Sequence, residues 1–242
     1  MPITTLSNQA SKIIQNYLRL PFPGRDLNCP YLNNKRSGIR AALRVLVGKG
    51  RPEEIVDEAT LIALREKIDL KKLTDAETKK FLVEHNLGID CSALAYYILD
   101  AELKSRNLNR LRHYLKYPHI KNPIRKLITV LRPVENTSVY TLTRDENSVE
   151  VALKNIKPGD MITLLKTGTK HDYNHVLMIS EVEKDGINTN IKYVHSFQYP
   201  EDGLYNHGVR EEKIEITNPS RDILEQNWSE TRMQEYAKTA EK

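Results

Sequence analysis

The chain changes character near its middle, and that change limits the folds open to it. Its first 117 or so residues place apolar side chains at helical spacing, whereas from residue 138 they fall in short β-branched or alternating runs separated by turn residues. Ile13, Ile14, Tyr17 and Leu18 mark a helix within 7–19 that "PFPG" ends, and "RDLNCPYLNNKRSG" follows as a loop. Residues 38–47 and 52–69 read as helices. The second opens on "RPEE", where Pro suits a first turn and the acids suit the helix dipole. "LTDAETKKFLVEHNLG" reads as a further helix, capped by Thr74 or Asp75 and stopped by Gly88. From Cys91, Leu94, Ala95, Ile98 and Leu99 trace one helical face, and helical character is expected to run on to Pro118. "SVYTLT", "DMITLLK", "HVLMISEVE", "NIKYVHSF" and "EKIEIT" then read as strands, divided by Pro158-Gly159, "KDG" and "EDG". A stretch holding Ile223, Leu224, Trp228, Met233 and Tyr236 reads as a last helix. Helices first and strands afterwards imply an α+β fold with an antiparallel sheet.

At 242 residues, with 39% hydrophobic and 29% charged residues and no internal repeat, the chain has enough apolar surface for a self-sufficient core, read as one domain over 1–242. No apolar run reaches membrane-spanning length, so no transmembrane segment is expected. "MPITTLSNQASKIIQNYL" lacks the charged start, apolar centre and cleavage pattern of a secretory signal, which makes the cytoplasm the default location, with non-classical release as the other route. Cys29 and Cys91 are too few for a disulfide framework or a cysteine-built zinc site.

The formal charge of +5 is unevenly placed: residues 102–132 carry nine Lys/Arg against one acid and so account for more than the whole excess. These cations have two readings. They are solvated helix faces, or, interleaved with Tyr114 and Tyr117, they meet an anionic partner such as nucleic acid, an acidic glycopolymer or anionic lipid.

In "LGIDCSALAYYIL" a cysteine stands where a loop turns into a helix. Unsatisfied N–H groups and the positive end of the dipole there favour thiolate over thiol, and the same groups can donate to an oxyanion. Asp90 opposes that ionisation, so it needs another task, capping or holding a substrate amine. Read alone, Cys91 is an inert buried thiol. Two histidines change the weighing. His175 opens one expected strand and His195 closes the next after a turn at Lys184-Asp185-Gly186, so an antiparallel pairing brings the two rings together. One can take the cysteine proton while the other fixes its tautomer. His171 lies four before His175, but a turn between them and the lack of clustered carboxylates argue against a metal pair, and no cofactor is expected. His113, His119 and His207 read as solvated side chains.

"GIDCSALAYYI", "IKPGDMITL", "NHVLMISEV" and "YVHS", in that order, resemble the NlpC-type family of papain-like cysteine peptidases, over roughly residues 86–217. The resemblance implies a papain-like core with Cys91 as nucleophile, His175 as base and His195 as the residue that orients it. "GLYNHGVREEKIEI" is similar to the family's closing turn and strand, and "CPYLNN" to its upstream Pro-Tyr segment, which would set Tyr31 near the thiol. Ala93 stands where the family usually has Gly, "CPYLNN" lacks the usual Trp-Gly-Gly, and longer spacings imply helical insertions at 35–85 and 101–135.

The activity implied is hydrolysis of an amide in bacterial cell-wall peptides or their fragments through a thioester, with Tyr31, Asp90 and Ser92 gripping the substrate amine. Two alternatives remain open at this level: acyl transfer to an acceptor other than water, and a non-catalytic module that binds a partner through the basic segment.

Overall fold

The chain begins with a three-residue strand, β1 (Ile3–Thr5), too short to have a period that a sequence could display. The structure is a computed structural model that describes residues 2–33, 43–185 and 188–240. Ser7 then caps the first helix, α1 (Asn8–Leu18), by accepting from the Ala10 N–H, and turns Ala10, Ile14 and Tyr17 inward. α2 (Pro52–Glu66) has Pro52 in its first turn, as "RPEE" predicts, and the Glu54 carboxylate accepts from the Arg51 N–H at 2.9 Å. α3 (Asp75–Glu84) opens on a capping box in which Thr74 and Glu77 each accept the other's N–H. It stops before Gly88 because Asn86 takes a left-handed backbone (φ 54°). α4 (Cys91–Ser105) follows.

Between α4 and the sheet the expectations need correction. Helical character does not run on to Pro118: Arg106 ends α4, Asn107 turns left-handed (φ 57°), and only a 3-10 turn at Leu111–His113 lies beyond. Helix resumes after Asn122 as α5 (Pro123–Leu131) and α6 (Pro133–Asn136), where Pro suits each first turn. "SVYTLT" is not a strand but a helical turn, α7 (Val139–Leu142). Ser138 caps it by accepting from the Thr141 N–H, so local side-chain bonding overrides β-branched propensity. The helix expected over 38–47 lies largely outside the described residues, and its described end, Arg44–Val47, is a 3-10 turn.

The strands are β2 (Met161–Thr167), β3 (Tyr173–Asp185), β4 (Asn188–Phe197), β5 (Gly208–Ile216) and β6 (Asn227–Trp228), and α8 (Thr231–Ala237) ends the described chain. Ile223 and Leu224 form a 3-10 turn and Trp228 a strand, so the last helix takes only Met233 and Tyr236 of the five apolar residues expected in it. All pairings are antiparallel. The order is β1-β3-β4-β5-β6, with β2 on the same edge of β3 as β1 but on its other half. Gly186 of the expected β3–β4 turn lies outside the described residues, and the register leading to it is Asp185↔Asn188.

Alternation along β3 divides the core. Val176 and Met178 join the helices, α1 and α4 foremost, while Leu177 and Ile179 join β2, β4, β5, Trp228 and Met233 on the opposite face. Residues 91–98 of α4 are all buried, so packing rather than propensity fixes that helix; each large apolar side chain there contributes roughly 1.5–3 kcal/mol. The fold is therefore α+β with an antiparallel sheet. Among the described residues no helix is long and apolar enough to cross a membrane.

Candidate active site

Asp90 starts α4. Its backbone is extended and its Oδ1 accepts from the Ala93 N–H at 2.7 Å, which leaves Cys91 as the first helical residue. The loop before it is held by close backbone approach. The Ile89 N–H donates to Pro30 O at 2.9 Å and Leu32 N–H to Ile89 O at 3.2 Å. A Cβ on Gly88 would lie 2.5 Å from Pro30 O, and one on Gly48 (φ 73°) 2.3 Å from Leu32 O, so only glycine permits these approaches.

Beneath the helix start lies a buried ammonium. Lys49 Nζ sits 2.8 Å from Asp90 Oδ2, 2.8 Å from Ser92 Oγ and 3.0 Å from the Thr137 carbonyl. Its three protons are thereby satisfied. Ser92 Oγ lies in turn 2.9 Å from Asp90 Oδ1 and 3.1 Å from Thr137 O. Asp90 and Ser92 thus face an amine that the chain itself supplies.

Two ties link the start of α4 to the strands that carry the histidines, while no hydrogen bond joins Cys91 to either ring among the described residues. Val176, the residue after His175, donates its N–H to the Cys91 sulfur. Ser196, the residue after His195, donates its hydroxyl to Ile89 O at 2.8 Å. Cys91 is only 8% exposed. Burial foremost, then the Asp90 charge, push it up to about 12, against the pull of the Val176 and Ser92 N–H groups and the Lys49 cation. The expectation of a favoured thiolate therefore reverses in this structure, where desolvation outweighs the helix terminus.

His175 and His195 share one face of the sheet, with Nε2 of the first 2.9 Å from Nδ1 of the second. Behind them stands Glu230, at the entry to α8. Its Oε2 is 3.0 Å from His195 Nε2, an approach bent away from hydrogen-bond linearity, and accepts from Tyr193 OH at 3.0 Å. Burial would raise the Glu230 carboxyl, but the His195 imidazole and the Tyr199 and Tyr193 hydroxyls hold it down to about 2. Burial and the neighbouring His195 ring hold His175 well below the ordinary imidazole value.

These directions assign the tautomers. An ionised Glu230 keeps the His195 proton on Nε2, so His195 Nδ1 is an acceptor. His175 must then donate from Nε2, and its Nδ1 carries a lone pair. By the alternation along β3 this neutral base sits on the Leu177 side of the sheet, packed against Phe197, whereas the neighbouring Val176 belongs to the α4 side.

Tyr31 bridges to Ile89 in parallel and donates its N–H to His207 Nδ1 at 3.0 Å, while Asn33 Nδ2 lies 2.9 Å from its hydroxyl. His207 is thus not solvated, contrary to expectation: it is buried, with Nε2 2.8 Å from Leu204 O, and fixes the Tyr31 backbone. Tyr31, Asn33, Leu87, Gln198, Leu204 and His207 line a cleft of about 260 Å³ whose wall does not include Cys91, His175 or His195. His113, His119 and His171 are exposed. Cys29 and Cys91 are free thiols. Among the described residues no group of three or more His, Cys, Asp or Glu side chains could hold a metal ion.

Lys49 and Glu230 are the site residues that sequence reasoning missed. Lys49 sits in a Gly-Lys-Gly run typical of a loop, and Glu230 in "NWSETR", far along the chain from either histidine; neither belongs to a recognisable pattern. A scan against protein-family models, a search of curated proteins and a search of solved structures each return no match.

Proposed function

We propose that the chain is a cysteine hydrolase of the NlpC type, built on a papain-like core, that cleaves an amide in cell-wall peptides or their fragments. The observation that carries this reading is the buried series His175, His195 and Glu230, because a carboxylate behind two paired imidazoles leaves an acceptor nitrogen on His175. A buried imidazole pair with an ionised carboxylate behind it carries a desolvation cost, and groups perturbed in this way cluster at functional sites.

In the proposed reaction His175 Nδ1 takes the Cys91 proton as sulfur attacks the substrate carbonyl, so thiolate forms only with attack. The tetrahedral oxyanion collapses, the C–N bond breaks, and the leaving amine carries away the proton from His175. Water then attacks the thioester with His175 as base and releases the acid and the thiol. The Cys91 and Ser92 N–H groups at the start of α4 stabilise the oxyanion, the Ala93 N–H being taken by the Asp90 cap.

Lys49 refines the substrate. Its ammonium occupies Asp90 and Ser92, so gripping a substrate amine falls to neither of them, and the Tyr31 cleft is left as the recognition surface. The same observation favours a second reading, acyl transfer from a donor that brings no amine to this place. Wall-peptide libraries incubated with the protein, with and without hydroxylamine, test both. Hydrolysis gives free acid, transfer gives hydroxamate in preference to acid, and Cys91→Ala abolishes either. Absence of turnover and of any acyl adduct on Cys91 across such libraries would sink the proposal.

A further inference from the structure

α5 is mounted with its apolar face outward. Ile124, Leu127, Ile128 and Leu131, at i, i+3, i+4 and i+7, form one stripe and are 69%, 59%, 38% and 69% exposed. The one residue it buries is Thr129, on the far side of the wheel from that stripe. A helix that packed for stability alone would be rotated by half a turn, because four exposed aliphatic side chains forgo the gain of burial. Asn122 caps it by accepting from the Arg125 N–H at 3.0 Å and Pro123 fills its first turn, so the helix forms locally, whatever covers its outer face.

The cations nearby divide into two sets. Arg106, Arg110 and Arg132 pair with Glu102, Asp100 and Glu135. Lys121, Arg125 and Lys126 are exposed and make no ion pair among the described residues. Arg125 borders the aliphatic stripe and Lys121 just precedes the helix, whereas Lys126 stands on the Thr129 side.

We propose that α5 docks this protein on an anionic lipid surface, the four aliphatic side chains entering the boundary between headgroups and acyl chains and Lys121 and Arg125 lying at the level of the lipid phosphates. An apolar face with free cations at its margins matches the two layers of such an interface. A nucleic acid offers phosphates but no apolar phase for the stripe. The position is informative as well: α5 leads through α6 to Thr137, whose carbonyl accepts from both Lys49 and Ser92 beside the thiol. A surface docked on α5 is thus tied by a short, structured segment to the start of α4. The surface stands whether or not Cys91 is a nucleophile.

Flotation of the full chain with vesicles of phosphatidylcholine, alone or mixed with phosphatidylglycerol, tests this at low and high salt. Wild type should float with the anionic vesicles and release as salt rises. Leu127→Asp with Leu131→Asp, both exposed positions, should lower partitioning by at least about tenfold with an unchanged thermal melt. Lys121→Ser with Arg125→Ser should lower it several-fold and flatten the salt dependence. Failure of wild type to float on either composition, or equal flotation of the Asp pair, would overturn the proposal. So would a concentration-dependent dimer of wild type that the Asp pair dissolves without any vesicle binding, since the occupant would then be a second copy. Nucleic-acid binding unaffected by the Asp pair, with no flotation, would overturn it equally.

Discussion

His195 Nε2 stands 3.0 Å from the Glu230 carboxylate, and this contact decides where the proton sits on a ring it does not touch, that of His175. Glu230→Gln reverses the logic. An amide N–H facing His195 would make Nε2 an acceptor and move the proton to Nδ1, so that His175 would have to accept on Nε2 and protonate the nitrogen needed as base. The expected result is a fall in kcat on the order of 10²- to 10⁴-fold with KM changed only a few-fold, read by steady-state kinetics alongside ¹⁵N imidazole shifts. An unchanged kcat would mean the carboxylate sets no tautomer.

The same groups make folding sensitive to acid. The folded values of His175 and Glu230 both lie below their unfolded ones, so the unfolded chain binds more protons and stability rises with pH. The His175 contribution is complete above an ordinary imidazole value of about 6.5 and is lost as pH falls toward its depressed folded value. Glu230, held from 4.5 down to about 2, adds roughly 3 kcal/mol that disappears between those two values. Urea midpoints measured from pH 7.5 to pH 3 should therefore fall in two stages, and Glu230→Gln should remove the lower one. A wild-type midpoint independent of pH would contradict both assignments.

Thiol labelling separates a preformed ion pair from a base acting on demand. With the Cys91 thiol near 12, less than about one part in 10,000 is thiolate at neutral pH. Iodoacetamide should modify Cys91 slowly at pH 6 and ever faster toward pH 9, and His175→Ala should slow it further. Cys29, wholly buried with its thiol pushed higher still, should react only in denaturant. A flat, rapid rate for Cys91 below pH 6 would show that it rests as a thiolate.

Local chemistry was readable in the sequence wherever it was self-contained. Pro52, the Thr74 cap, the start of α4 at Cys91 and the long strands around His175 and His195 all follow from spacing and capping rules. What failed depended on partners distant in sequence. β1 exists only because residues 181–183 pair with it, and β-branched "SVYTLT" is helical because Ser138 and Thr141 bond each other instead of a strand. His207 looked solvated because nothing in its loop announces the Tyr31 N–H it accepts. Lys49 and Glu230 were invisible for the same reason: each reaches its site across 41 and 35 positions, to Asp90 and His195. Ionisation at Cys91 was misjudged because the helix terminus can be read from sequence and burial cannot.

Lys49 and Asp90 should behave as one unit. Removing either leaves the other's charge nearly buried and alone, a loss of about 3–5 kcal/mol, whereas removing both leaves no charge to compensate. Lys49→Met and Asp90→Asn should each destabilise strongly, and the double variant by at least about 2 kcal/mol less than their sum, since Asn still caps α4. A packing role alone could also give a non-additive cycle, so the thiol supplies a second readout. Asp90 holds the Cys91 thiol up and Lys49 draws it down, hence Asp90→Asn should move the alkylation profile toward lower pH and Lys49→Met toward higher pH. Opposite shifts of this kind require charges that act on the sulfur through space. Additive stabilities, or two shifts of the same sign, would reduce Lys49 to a space-filling side chain.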